Sequence, residues 1–325
     1  MARFEDKIAA MLAGRDTPTD FIIADAKDAD MAAGLSATGL TTARQGRRFR
    51  TRAEYIASIR DIIRQDIVDI MLVSCSILET LVEQAAFAGT GVRSAIRAND
   101  TSDLWRCRGA TYTKTPSIPF RSAALAGAQT DLGLYSMTFV NDAAIDARSL
   151  EQFQQFRTDA SAVNFRYFME IFNPNVETGI DAEHVPFFIN DMIIRALAGL
   201  RRAERPVFLK VAYNGPAAME ELASFDPGMI VGVMGGGSGT TRDCLELLHQ
   251  AQRFGARAAL FGRKINDAAS PTALIAAMRH VVDGDMKPEE ATRFYHDALV
   301  KDGITPLHAL DDDLSLTESV LRHAA

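Results

Sequence analysis

Two charged residues stand where charge is costly. Glu170 in NFRYFMEIFNP and Lys210 in PVFLKVAYNG each interrupt a run of bulky apolar and β-branched residues that reads as a buried strand. Alternation along a strand puts Phe168, Glu170 and Phe172 on one face, and Phe208, Lys210 and Ala212 on one face of the other run. A lysine is seldom buried without a partner. Two readings stay open. One is a structural ion pair in which each charge satisfies the other. The other is chemical: a lysine in an apolar cleft has its pKa lowered and attacks a carbonyl as the neutral amine. The iminium so formed is an electron sink, and a nearby carboxylate moves the protons that carbon–carbon cleavage needs. Asp25, closing the run FIIAD, is a third candidate, as an acid of the site or as a loop or capping acid.

A second constellation follows the lysine. The stretch MGGGSGTTRDCLELL carries Gly235, Gly236, Gly237 and Gly239 into an amphipathic helix, and Thr240-x-x-Asp243 has capping-box spacing. Glycines let backbone N–H groups approach an anion, and a helix start favours negative charge. No Gly-Lys-Ser/Thr follows, so this is not a P-loop. About one strand–helix unit later FGRKIN places Gly262 and Arg263 at the end of another strand. Glycine turns at two adjacent strand ends are the usual phosphate cradle of barrel enzymes, and a phosphorylated ligand is the reading preferred over a plain tight turn.

Eight short runs must position these residues: FIIAD near 21, VDIMLVS near 68, VRSAIRA near 92, LGLYSMTFV near 132, NFRYFMEIF near 164, PVFLKVAY near 206, GMIVGVMGG near 228 and ARAALFG near 256. Segments of helical period alternate with them. The alternation predicts a parallel sheet covered on both faces, and eight units without a linker predict an α/β fold: a single (β/α)8 TIM barrel over residues 1–325. A doubly wound open sheet is the alternative, because Asn99 to Arg121 is rich in loop residues. Helices are expected at 3–14 and from about 287 to 325.

Composition narrows the function classes. With 47% hydrophobic and 24% charged residues, the chain is an ordinary globular protein able to bury a large core. A net charge of −7 with bases and acids intermixed argues against a nucleic acid or a membrane as partner. Arg47, Arg48, Arg50 and Arg52 form the one dense basic run, read as a solvated face. Three scattered cysteines suggest neither disulfides nor zinc and fit a cytoplasmic location. The histidines lack ligand spacing, so no metal or other cofactor is expected.

FLKVAYNG, VGVMGGGSGTTRDCLELLHQAQRFGARAALFGRKIN and FRYFMEIFNP together resemble the class I, Schiff-base aldolases of the tagatose-bisphosphate and sulfofructose-phosphate aldolase branch. The match runs from about 164 to 300, with FIIAD extending it to the first strand. The resemblance implies a lyase that cleaves or forms a ketose phosphate, giving dihydroxyacetone phosphate and an aldehyde. It implies Lys210 as the Schiff-base lysine, Glu170 as the acid/base residue and Asp25 as a substrate-hydroxyl or proton-transfer residue. It further implies phosphate binding by Gly236, Gly237, Gly262 and Arg263, beside Gly235 of the same glycine turn, and a homo-oligomer. One departure stands out: where the branch carries a fourth-strand lysine, TDLGLYSMTFVND has Leu134. Ser136, Thr138 and Asn141 are neutral hydrogen-bonding candidates there, and Arg97 and Arg121 are candidates from the third-strand region. Non-covalent Lys/Glu acid–base chemistry in an isomerase or synthase is the competing enzyme reading, and a non-catalytic sugar-phosphate binder is the third.

Overall fold

A computed structural model of the chain describes residues 3–41, 48–235 and 239–322. The eight apolar runs become eight parallel strands: β1 (Ile22–Lys27), β2 (Ile70–Val73), β3 (Arg93–Arg97), β6 (Leu132–Thr138), β7 (Arg166–Phe172), β8 (Leu209–Val211), β9 (Val231–Met234) and β10 (Ala258–Phe261). They close as β1-β10-β9-β8-β7-β6-β3-β2. The protein is a single (β/α)8 barrel. β4 (Asn99–Thr101) and β5 (Pro119–Arg121) pair antiparallel in the excursion between β3 and β6, which is why that stretch breaks the alternation.

Strand parity sorts the core into two layers. Ile22, Ala24, Leu72, Ala95, Leu134, Phe168, Phe208 and Leu260 fill the barrel interior. Ile23, Met71, Ile96, Tyr135, Met169, Leu209 and Phe261 face the surrounding helices. Helix α1 (Arg3–Leu12) closes the amino-terminal end: the Phe4 ring meets Phe208 edge-on at 6.4 Å, and Phe208 stacks on Phe168 at 4.7 Å. This aromatic floor fills the lower barrel, so residues one step further along β7 and β8 emerge at its mouth.

Short α2 (Asp30–Ala33) follows β1, and α3 (Arg52–Gln65), α4 (Cys75–Glu83), α5 (Ala143–Ala162), α6 (Val185–Ala198), α7 (Pro216–Phe225), α8 (Thr241–Arg253) and α10 (Pro271–Asp283) lie around the barrel. A single turn, α9 (Arg263–Asn266), begins directly after β10. Beyond α10 come α11 (Pro288–Lys301), α12 (Leu310–Asp313) and α13 (Ser319–Arg322). Among the described residues no helix is long and apolar enough to cross a membrane.

Candidate active site

Register brings the two interrupting charges side by side. Glu170 on β7 is the direct partner of Lys210 on β8, and Ser136 on β6 is the partner of Glu170. All three share the parity of the interior residues Leu134, Phe168 and Phe208, so they form the layer above the aromatic floor. The Lys210 ammonium is in direct ion contact with Glu170 Oε1. The other carboxylate oxygen, Oε2, accepts from Ser136 Oγ at 2.7 Å and from Arg97 Nη2 at 3.4 Å.

Arg97 ends β3 with its side chain directed into the mouth. It donates to Ser136 Oγ at 2.8 Å through Nη1 and makes a close ion contact with Asp28 through Nε. Burial opposes its charge, but Asp28 and then Glu170 outweigh that cost and hold the guanidinium above its ordinary pKa. Two cations and two carboxylates therefore form a buried set whose formal charges cancel. Asn99 fixes the strand behind it: its amide donates to the Ser136 carbonyl at 2.8 Å and accepts from the Ser136 N–H at 2.7 Å. Such bonds orient Ser136, and through it Glu170.

Asp25 does not join this group. Ile22, Ala24 and Ala26 point inward, so Asp25 and Lys27 point outward to the helix layer. Lys27 Nζ lies 3.0 Å from Asp25 Oδ1 at angles unsuited to a hydrogen bond. Burial pushes the Asp25 carboxyl up, against the pull of Lys27. Asp25, expected as a site acid, therefore stands outside the ionic group, and the acid next to the first strand that lines the mouth is Asp28. Sequence reasoning ended the strand at Asp25, whereas it continues to Lys27. Two acids three residues apart on an extended segment cannot face the same way, and the small inward residues Ala24 and Ala26 were the available signal.

A cleft of about 270 Å³ opens above the charged layer. Asp28, Arg97, Glu170 and Lys210 line it on one side and Gly235, Gly262 and Arg263 on another. A second lobe of about 310 Å³ shares Phe172, Met234, Gly235 and Arg263 and continues over Ala212 and Tyr213. The glycines have steric reasons of their own. A Cβ on Gly235 would fall 2.0 Å from the Phe261 ring, and one on Gly262 would fall 2.8 Å from the Ala26 carbonyl. Gly236 and Gly237 lie outside the described residues.

The predicted capping box is present at α8, where Asp243 N–H donates to Thr240 Oγ1 at 3.0 Å and Thr240 N–H donates to Asp243 Oδ2 at 2.9 Å. Among the described residues, the Thr241 and Asp243 N–H groups of this helix start, where the spacing had suggested room for a phosphate, already have internal partners. Thr241 N–H donates to the Asp313 carboxylate at 2.6 Å, and Thr317 covers Asp243 with its N–H at 2.8 Å and its hydroxyl at 2.5 Å. An internal carboxylate from the C-terminal segment meets the positive end of the helix.

Other candidates sit elsewhere. Leu134 lies buried in the interior floor, below the level of Glu170. Thr138 donates to Asp103 at 2.9 Å, Asn141 donates to the Thr178 carbonyl at 2.9 Å, and Arg121 pairs with Asp159 on α5. In the basic run, Arg48 bridges to Glu54 at 2.7 Å and Arg52 reaches the Ser76 carbonyl at 2.7 Å, while Arg47 is outside the described residues.

The fold and the interior charges define a (β/α)8 barrel with an ionic constellation at the carboxyl ends of its strands. Solved structures share this architecture at low sequence identity. An archaeal fructose 1,6-bisphosphate aldolase is 13% identical, with a TM-score of 0.59 over 85% of this chain and 99% of that one. A Schiff base forming fructose-1,6-bisphosphate aldolase is 14% identical, with a TM-score of 0.61 over 86% and 99%. A fructose-bisphosphate aldolase from Slackia heliotrinireducens is 13% identical, with a TM-score of 0.62 over 95% and 93%. At such identities the likeness establishes the fold. No protein-family profile and no curated protein matches the chain.

Proposed function

We propose that the protein is a class I aldolase that cleaves or forms a ketose phosphate through a Schiff base on Lys210. The observation that carries the reading is the pairing of Lys210 with Glu170 inside the barrel mouth, on a cleft shared with Gly235, Gly262 and Arg263. Fructose-bisphosphate aldolases of solved structure share the architecture, which supports the class. The sugar itself is left open.

In this reading Glu170 Oε1 takes a proton from Lys210, and the free amine adds to the substrate ketone to give a carbinolamine. Glu170 returns the proton to the carbinolamine hydroxyl, which leaves as water, and an iminium remains. A mouth carboxylate then removes the proton of the substrate hydroxyl next to the scissile bond. The bond's electron pair moves into the iminium, giving an enamine and a free aldehyde. Protonation of the enamine carbon and hydrolysis of the iminium release dihydroxyacetone phosphate and restore the amine. Asp28, held across Arg97 from Glu170, is the second carboxylate placed at the mouth. The ionic layer suits the step, since charge moves within a set that already carries fixed opposite charges.

The test is a panel of ketose phosphates with detection of released dihydroxyacetone phosphate. Turnover is expected for at least one member, a fall to background in Lys210→Met, and a loss of about 10²- to 10⁴-fold in kcat in Glu170→Gln. Undiminished turnover in Lys210→Met would reject both the covalent route and the competing Lys/Glu acid–base chemistry, and these two are told apart by borohydride, which inactivates the protein in the presence of substrate only on the covalent route.

A further inference from the structure

Arg106 belongs to the β3–β6 excursion, and its peptide N–H donates to the Ala32 carbonyl of α2 at 2.8 Å. Its chain neighbour Trp105 packs edge-on against Tyr112 and Phe120, with ring centroids 5.0 and 5.5 Å away, and Trp105 Nε1 donates to Asp100 at 3.2 Å. The backbone that presents Arg106 is thus fixed from both sides. Arg106 lines both lobes of the cleft, as does Arg263 from the start of α9. Neither guanidinium makes an ion pair or donates a side-chain hydrogen bond among the described residues. Partial burial and, next, Arg106 hold Arg263 below its ordinary pKa, against Asp267.

Elsewhere in the cleft positive charge is already compensated, since Arg97 meets Asp28 and Glu170, and Lys210 meets Glu170. At the rim, two cations converge with Asp267 as the acid beside them. Like charges held together without partners are unfavourable until an anion arrives. We propose that Arg106 and Arg263 form a two-guanidinium clamp for the phosphate of the substrate, with Arg106 supplied across the cleft by the β3–β6 excursion. The assignment rests on the sugar-phosphate reading above. It also defines the ligand as a phosphate monoester dianion: two planar forks can donate to several oxygens of such a group, whereas a neutral sugar end would leave them unpaired. Binding would tie the excursion to α9 and cover the charged layer.

The experiment uses the full chain. Inorganic phosphate is titrated calorimetrically at low salt into the parent, Arg106→Gln, Arg106→Lys and Arg263→Gln. In parallel, borohydride trapping on Lys210 is followed against dihydroxyacetone phosphate and unphosphorylated dihydroxyacetone. Arg106→Gln is expected to weaken phosphate binding by about tenfold or more. It should raise the half-saturating concentration of dihydroxyacetone phosphate without lowering the maximal adduct, and Arg106→Lys should fall between it and the parent. Arg106 is exposed in a loop, so the variants should keep the parent's circular dichroism. Parental phosphate affinity in Arg106→Gln, with loss in Arg263→Gln, would overturn the clamp while leaving the sugar-phosphate reading standing. Equal trapping of the two ketones would overturn the clamp and the phosphate assignment but not the Schiff base. Absence of both phosphate binding and trapping in the parent would sink all three.

Discussion

At the scale of single residues, position on the strand decides what each acid can do. Glu170 and Lys210 were legible in the sequence because a charge amid consecutive apolar residues has few explanations, and register then makes them neighbours. Asp25 and Asp28 are separable only when the strand's true end is known. The geometry therefore makes a paired prediction. Asp28→Asn should lower kcat by about 10²- to 10⁴-fold, since it removes a mouth carboxylate. Asp25→Asn should leave kcat per folded molecule near the parent's. It should lower the melting temperature, because Lys27 would be left as a buried cation without its counter-charge. Steady-state kinetics on both, with thermal unfolding of each, checks the pair; a kcat collapse confined to Asp25→Asn would reverse the assignment. Arg97 was visible as a charge near the third strand, but its reach to both Asp28 and Glu170 depends on three strands folding together. Arg106 left no periodic signal, since its place over the cleft is set by a hairpin that returns from Asn99 to Arg121.

At the scale of elements, the eight strands were readable because they are short and mostly apolar, with Gly, Pro or Asn flanking the third and later ones, while the attachment of the C-terminal segment was not. Its attachment joins residues more than 70 positions apart, Asp243 with Thr317 and Thr241 with Asp313, and no local pattern encodes such a pair. This docking has a pH signature. Burial raises the Asp243 carboxyl, but hydrogen bonds from Thr317 and the Thr240 N–H prevail and hold it below its ordinary value. Asp313 is likewise raised by burial, and the bonds from Thr241 and His296 prevail. Carboxyls whose folded pKa is depressed contribute stability that is present above the unfolded value of about 3.9 and is lost as pH falls through the lower folded value. The segment should stay docked between pH 7 and about pH 4.5, and the stabilisation should weaken only below about pH 4, as the pH falls towards the depressed folded values. Limited proteolysis or hydrogen exchange over residues 313–322 across that range is the measurement; release already at pH 6 would contradict the two-carboxylate account. Asp243→Asn should free the segment at neutral pH and cost about 1–3 kcal/mol, combining a lost cap with lost charged hydrogen bonds.

At the scale of the whole molecule, the two ends of the barrel are built for different ends. The closed end is tied by Asp69, which is fully buried and meets Arg3 Nε at 2.8 Å, Lys7 Nζ at 3.0 Å and Arg279 Nη2 at 3.1 Å, and accepts from the Ile23 N–H at 2.9 Å. One carboxylate thus joins α1, α10 and β1. Asp69→Asn should reduce the unfolding free energy by about 3–5 kcal/mol, because it leaves the buried Lys7 ammonium with no counter-charge, while Arg3 and Arg279 keep Asp66 and Asp283. Urea denaturation would show this as a lower midpoint, and an unchanged midpoint would mean that the cluster is not structural. At the open end the charges cancel internally instead, and Arg106 and Arg263, without an ion pair among the described residues, stand at the rim. The proposed Schiff base requires Lys210 to form a covalent imine with the ketone. The most direct measurement is peptide-mapped mass spectrometry after borohydride is added to the protein with dihydroxyacetone phosphate. A single reduced adduct on Lys210, absent without the ketone, is the predicted result. An unmodified Lys210, with the ketone bound under the same conditions, would contradict it.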